Sequence, residues 1–572
     1  MSKLLSISQT HSDPVLNIIF DTIKKNKQAL IFVNTKRGAE SQAEKIAMKT
    51  KTSDAKLINL SEDVLKAVST PTKQCRRLSL CVKKGIAFHH SGLTTKQREL
   101  VEDNFRIGII KIIACTPTLA FGLDLPAFRV IIRDLKRYGG PWGMSDIPVL
   151  EYEQQAGRAG RPGKEDYGEA ICIATTNSQK EKIFKQYVQG VPEEIYSKLA
   201  VEPVLRTYVL SLIATEFVND KHSLFEFFDR TFYAHQYADL NKLHQLLEKI
   251  LDLLVEWGFL KDTKTGGESA SKKNKDNTVE DDFVSADNFN SISSNTSSYA
   301  FNQAYEATIL GRRVSELYLD PYTGNFIISC LRKATEKKTD EKTKKQADAF
   351  SYLQMITGCL ELRPLLNVKM SEHEEVQGKY LQFEGELLSD EPTMFDEKYD
   401  EFLKTVKTAL FFQDWINEFD EEYLFETYDV RPGEINAKRE IADWLLYSSE
   451  EMARILKLQP LINDLIKLRL RLKYGAKEEL LPLLKLKGVG RVRARKMYNN
   501  KLQNLTDIKI VDITTLAQLI GNGAAISVKK QLGQEFDPAK IKVRENKRKG
   551  QISLKDYEAK PMKKKPSKKK KL

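Results

Sequence analysis

Short runs of apolar and β-branched residues, each bounded by turn residues, mark the first third of the chain. They are QALIFVNT at 28–35, KGIAFHHS at 84–91, IKIIACTP at 110–117, RVIIRDL at 129–135 and YGEAICIAT at 167–175. Between the earlier runs lie patterns with apolar residues at helical spacing, such as Gly38 to Lys49 and Thr94 to Phe105. Continuous apolar strands alternating with helices predict a parallel sheet covered on both faces, one α/β domain over residues 1–180. In such a sheet ligands sit at the carboxyl ends of the strands, so the polar signatures are expected there.

The pattern then changes. Residues 181–262, with LRTYVLSLIATEFV and LEKILDLLVEWGFLKD, predict short helices closed by an aromatic-Gly-aromatic turn, compatible with a winged helix over 181–300. Residues 263–299 are rich in Ser, Asn, Asp, Lys and Gly and predict a disordered, low-complexity insertion, an elongated wing. Helical spacing returns at Tyr305, broken at Arg431-Pro-Gly433, and predicts an all-helical bundle over 301–475. Over 476–540, Glu479 to Ile508 predict a helix-hairpin-helix. Its turn, Gly488-Val-Gly490, presents backbone N–H groups at a helix N-terminus, with Arg491, Arg493 and Arg495 beside it. That is a grip for a nucleic-acid phosphate, or else a packed helical hairpin.

A chain of 572 residues with 41% apolar and 9% aromatic content can bury several cores. Six scattered cysteines without a CxxC pair predict reduced, buried thiols and neither zinc site nor disulfide frame. The N-terminus carries no apolar signal-like run, and no stretch reaches the ~18 apolar residues of a membrane span, which predicts a soluble, cytosolic protein. The net charge of +13 is local. Residues 541–572 hold fourteen Lys/Arg against three Asp/Glu, so the body is near neutral and the tail is a disordered basic arm. Such an arm raises salt-dependent affinity for phosphate backbones, or only aids solubility.

The stretch Glu151 to Gly163, EYEQQAGRAGRPG, carries the most specific chemistry. Arg158 and Arg161 stand among small residues, which let the backbone approach a ligand while guanidinium forks bind phosphate oxygens. A solvated basic turn or an arginine-finger site fits these residues equally. QxxGRAGRPG, starting at Gln154, resembles motif VI of superfamily II helicases in its DExH form.

Other blocks resemble the second, RecA-like motor domain of that superfamily. Phe32 to Glu40, containing Thr35, is similar to motif IV. Phe88 to Leu93 is similar to the next block, which touches the tracked strand, so His90 is a candidate for DNA contact or an ordinary strand-end histidine. Ala114 to Ala127 is similar to motif V, which implies a DNA phosphate on Thr116 and a nucleotide facing Gly122 and Asp124. Arg133 to Leu150 suits a projecting hairpin or a plain loop. In related helicases a hairpin there wedges the duplex apart, which makes Tyr138 and Trp142 stacking candidates.

Taken in this order, the pieces resemble the archaeal Holliday-junction-migration (Hjm) DExH helicases, over nearly the whole chain except 263–299 and the tail. The resemblance implies an ATP- and Mg²⁺-dependent 3′-to-5′ DNA helicase acting on forked or branched DNA in repair and recombination. It implies catalytic roles for Gln154, Arg158 and Arg161, and DNA stacking by Trp444 on a ratchet helix, where helical spacing by itself also fits a core tryptophan. No G-x-x-x-x-G-K-[ST] phosphate loop and no DExH box occurs in the 572 residues. The expectation is therefore a C-terminal part that needs a first motor domain in trans and is inactive without it. A split subunit, an incomplete gene product and a trimmed chain all fit. A non-enzymatic DNA-binding module and an RNA-processing helicase are the other readings. Gln551, Leu554 and Tyr557 have the spacing of a sliding-clamp-binding peptide.

Overall fold

The structure is a computed structural model that describes residues 6–52, 54–68, 70–122, 124–138, 143–161, 163, 165–237, 240–263, 304–339 and 348–534. Trp142, nearly all of the 263–299 insertion, and the tail with Gln551, Leu554 and Tyr557 lie outside the described residues.

The chain divides into two compact units, residues 1–473 and 474–572. The first opens with α1 (Pro14–Lys24), β1 (Ala29–Phe32), α2 (Lys36–Lys49), α3 (Ala55–Lys66), α4 (Lys73–Val82), β2 (Ile86–His89), α5 (Thr95–Arg106), β3 (Ile112–Cys115) and β4 (Arg129–Ile132). There follow β5 (Lys136–Tyr138), β6 (Met144–Asp146), α6 (Val149–Ala156) and β7 (Glu169–Cys172). The five predicted strands are β1, β2, β3, β4 and β7. They form one parallel sheet in the order β2-β3-β1-β4-β7. Every residue of β1 to β4 is buried, as a parallel sheet covered on both faces requires, the polar His89 and Arg129 at strand ends included. Helices are started by side chains: Thr35 accepts from the Gly38 N–H, and Thr94 with Gln97 forms a capping box on α5.

β5 and β6 pair antiparallel, Tyr138 opposite Met144, as a small hairpin beyond β4. Helices α7 (Asn177–Ile183), α8 (Glu202–Ala214), α9 (Lys221–Asp229), α10 (Phe232–Tyr237) and α11 (Leu240–Glu256) lead to β8 (Leu260–Asp262). The aromatic-Gly-aromatic turn is there, with Gly258 at φ +74°. β8 pairs antiparallel with β9 (Tyr305–Ala307), across the insertion, and α12 (Ile309–Glu316) packs on α8. A boundary at 300/301 therefore falls inside a packed assembly.

The helices α13 (Pro321–Thr339), α14 (Ala349–Gly358), α15 (His373–Tyr380), α16 (Tyr399–Ile416), α17 (Glu421–Tyr428), α18 (Pro432–Ile455) and α19 (Gln459–Tyr474) complete the largely helical region. One continuous core runs from Leu205 to Leu472, separate from the core of the α/β domain.

The second unit contains α20 (Leu481–Leu484), α21 (Arg491–Asn499), α22 (Leu505–Ile510), α23 (Ile513–Ile520) and α24 (Asn522–Gln531) around its own core. Among the described residues all six cysteines are unpaired, five of them buried. No helix among them is long and apolar enough to cross a membrane.

Candidate functional site

The parallel sheet separates the polar signatures onto two opposite edges, where the sequence reading placed them together at the carboxyl ends. At the amino edge, the loop after α6 is pinned to the chain just before β4. The Ala127 N–H donates to the Arg158 carbonyl at 2.9 Å, and the Gly160 N–H donates to the Ala127 carbonyl at 2.7 Å. Gly160 has φ +94°, a turn that favours glycine.

The result is an open cleft of about 420 Å³ whose lining includes Asp124, Arg158, Arg161, Glu165, Asp166 and Tyr167. The Arg158 guanidinium donates to the Ala120 carbonyl, from Nε at 3.2 Å. The Arg161 guanidinium donates from Nε to Glu165 at 3.1 Å and from Nη1 to the Gln28 side chain. Lys27 stands 3.4 Å from the same Glu165. Burial pushes the Glu165 carboxyl up, but the hydrogen bonds and charges of Arg161 and Lys27 outweigh it and hold it below its ordinary range.

Beneath the cleft, the buried Arg129 locks β4 to β7 and α1 through Glu169 at 2.6 Å and Asp21 at 3.0 Å. Nothing in the sequence pattern of β4 singled that arginine out. Gly122, exposed at φ +75°, and exposed Asp124 lie on the segment that crosses from β3 to this edge. The Gln154 Oε1 is buried and has no hydrogen-bond partner among the described residues.

These groups fit the phosphate end of a nucleotide as half a site. Two guanidinium forks reach an open cleft, but one is capped by a carbonyl and the other paired with a carboxylate. Among the described residues no group of three or more His, Cys, Asp or Glu stands together as a metal site.

The carboxyl edge carries the other signatures. Thr35 is exposed and caps α2. Thr116 is 8% exposed and its hydroxyl lies 2.9 Å from that of Thr118. The Asn34 side chain donates to the Lys136 carbonyl at 2.5 Å and ties β1 to the hairpin, on which Tyr138 is 74% exposed.

His90 is not available to a ligand. It is fully buried, its Nδ1 accepts from the Gly92 N–H at 3.1 Å, and so its Nε2 carries the proton that points at Glu40, 3.3 Å away. Burial lowers the His90 pKa and keeps the ring neutral. The same Glu40 receives Arg431 Nε at 3.2 Å and Arg77 Nη1 at 2.6 Å. Burial pushes its carboxyl up, yet His90, Arg431 and Arg77 together bring it down to about 2.

Arg431 is the residue before α18, so this network joins the parallel sheet to the longest helix among the described residues. The joint is close-packed as well. A Cβ at Gly433 would stand 2.3 Å from the Ser91 and Leu93 carbonyl oxygens, and the Gly433 N–H donates to the Gly92 carbonyl at 3.0 Å.

Further along α18, Trp444 is half-buried against the core and its indole N–H donates to the Leu317 carbonyl at 3.1 Å. It is therefore core in part, and only its outward face is open to a base.

In the second unit, Gly488 has φ +82° and Gly490 caps α21 with open space at its Cα. Arg493 donates to the Gly488 carbonyl at 2.7 Å, and Arg495 pairs with Glu479 at 2.6 Å, while Arg491 is half-exposed. The sequence reading missed a second Gly-x-Gly at a helix start, Gly521-Asn522-Gly523, where Gly521 at φ +91° joins α23 to α24. The repeated Gly-x-Gly, at 488–490 and again at 521–523, was the signal.

Residues 11–163 match the family described as helicase conserved C-terminal domain, and residues 350–475 match archaeal helicase, domain 4. The α/β domain with its arginine loop is thus a helicase C-terminal domain, followed by a helical region of archaeal helicase type. The chain is 39% identical over 501 residues to the ATP-dependent DNA helicase Hel308 of Methanococcus vannielii, covering 86% of this chain and 64% of that protein. It is 35% identical to the Hel308 of Pyrococcus abyssi over 549 residues, covering 94% and 67%. For the Hel308 of Methanocella arvoryzae the figures are 35% over 543 residues, 93% and 66%. The chain belongs to the Hel308 family of archaeal DNA helicases, and it spans about two thirds of the length of these relatives.

Proposed function

We propose that this chain is the C-terminal part of an ATP-dependent 3′-to-5′ DNA helicase that acts on forked or branched DNA in repair and recombination. The observation that carries the reading is the division of the sheet into two edges. Arg158 and Arg161 would hold the terminal phosphate of ATP at the amino edge, beside Gly122, Asp124 and Gln154. Thr35, Thr116, Tyr138 and the open face of Trp444 belong to the carboxyl edge and to the helix joined to it, where a DNA strand would run.

Hydrolysis of the bound nucleotide supplies the free energy. What this chain's residues contribute is charge on the phosphate and a rigid joint between the sheet and α18. A domain outside these 572 residues would bring the phosphate loop and the Mg²⁺-binding carboxylate, so the chain by itself should not turn over ATP.

The helices and ribbon of 202–316 are read as a winged helix. The Gly488–Gly490 turn is read as a helix-hairpin-helix grip on the DNA backbone, with Arg491, Arg493 and Arg495 supplying charge. One observation favours a second reading, a DNA-binding module without turnover: both guanidiniums of the arginine loop are engaged by protein partners.

Mixing the chain with a separately expressed first motor domain of a related helicase separates the two. Fork-stimulated hydrolysis in the mixture supports the motor. Fork binding without hydrolysis supports the module.

A further inference from the structure

One wall of the amino-edge cleft is not accounted for by the arginine loop. Tyr167 lines it together with Arg158 and Arg161 and leaves 60% of its surface in water. Its ring is backed rather than loose. Phe128, 4% exposed, meets it edge-on with centroids 5.6 Å apart at 67°. Phe128 is in turn flanked by the Lys27 ammonium and the Arg129 guanidinium, 5.5 and 5.6 Å from its ring centre.

The backbone is held just as closely. A Cβ at Gly168 would fall 2.2 Å from the Gly160 nitrogen and 2.4 Å from the Ala159 carbonyl carbon. The chain after Tyr167 therefore presses on the loop that presents Arg158 and Arg161, so ring and guanidiniums sit at a set offset around one cleft. Its volume, about 420 Å³, lies within the ~300–1,000 Å³ of small-molecule sites. Forked cations for an anion and a flat π face beside them match the two ends of a nucleoside triphosphate.

We propose that Tyr167 stacks on the nucleobase of the nucleotide whose phosphates meet Arg158 and Arg161. The proposal rests on the ATP-site reading above and assigns its base end. Stacking uses the π face and reads no hydrogen-bond pattern, so it favours large purine rings over pyrimidines without choosing strongly between adenine and guanine.

The test follows ³¹P line broadening of ATP and of inorganic tripolyphosphate, each at millimolar concentration with Mg²⁺, on the full chain and its Tyr167→Ala and Tyr167→Phe variants. ATP is expected to bind roughly ten-fold tighter than tripolyphosphate. Tyr167→Phe should keep that advantage. Tyr167→Ala should erase it while leaving tripolyphosphate affinity unchanged. Equal binding of both ligands by the unaltered chain, or an ATP advantage that survives Tyr167→Ala, overturns the proposal and leaves the phosphate reading standing. Binding of neither ligand overturns the phosphate reading and the proposal with it. A Tyr167→Ala variant that loses single-stranded DNA affinity but not the ATP advantage overturns it in favour of a nucleic-acid contact.

Discussion

The two edges of the parallel sheet each centre on an arginine, and the two arginines are held in opposite ways. Arg431, at the carboxyl edge, is sealed: 5% exposed, bonded to a Glu40 that also takes His90 and Arg77, and closely backed by Gly92. Arg161, at the amino edge, lines an open cleft and is held by one carboxylate that Lys27 also reaches. A sealed charge network resists exchange, because removing one partner strands a buried charge. At the cleft, Arg161 keeps 17% of its side chain exposed beside a Glu165 at 2%, and Lys27 at 3.4 Å stays to hold that carboxylate when a phosphate draws the guanidinium away. The first arrangement suits a joint that must not yield, the second a site that must open to a ligand.

Breaking the sealed side should have the largest effect. Arg431→Ala leaves Glu40 buried with less compensation and should cost about 3–5 kcal/mol of unfolding free energy, read by urea denaturation of the chain.

The pH profile sharpens the same point. The Glu40 carboxyl is depressed from 4.5 to about 2. Its stabilisation is therefore fully present above pH 4.5 and lost as pH falls toward 2, about 3 kcal/mol in all. His90, also depressed from its ordinary 6.5, adds an earlier loss that begins as pH falls below 6.5. Unfolding free energy should be flat above pH 7, decline gently below 6.5 and steeply below 4.5, and Glu40→Gln should flatten the lower limb.

On the proposed DNA side, Tyr138→Ala should lower fork unwinding by the reconstituted motor roughly ten-fold with little change in fork binding, as expected for loss of one stacked base. The smallest effect belongs to the second unit. Arg493→Ala should reduce the salt slope of DNA binding by about one.

The strands were legible because a strand buried on both faces writes an apolar run; β1 and β3 do so throughout, and β2 and β4 carry one polar residue each at an end, His89 and Arg129. The hairpin was legible from its aromatic and glycine residues. What the sequence did not carry is which side of an element a tertiary neighbour covers. His90 follows β2 as a strand-end polar residue, yet Glu40 of α2 and Arg431 before α18, far apart in the chain, bury it. Trp444 sits at helical spacing that fits core or surface, and the Leu317 carbonyl settles its indole nitrogen. The split into two edges depends on strand direction within a sheet order, β2-β3-β1-β4-β7, that no local pattern records. Nor does any local pattern record that β8 finds its partner β9 beyond a long insertion, on the other side of the expected boundary near residue 300.

On the proposed function, the amino-edge arginines serve ATP while the carboxyl edge serves DNA. The most direct measurement is fork-stimulated ATP hydrolysis by this chain mixed with a first motor domain of a related helicase, with fork affinity followed in parallel. The account predicts turnover in the mixture only, reduced about 10³-fold by Arg161→Ala at unchanged fork affinity. Turnover that survives Arg161→Ala, or fork affinity that falls with it, would contradict the account.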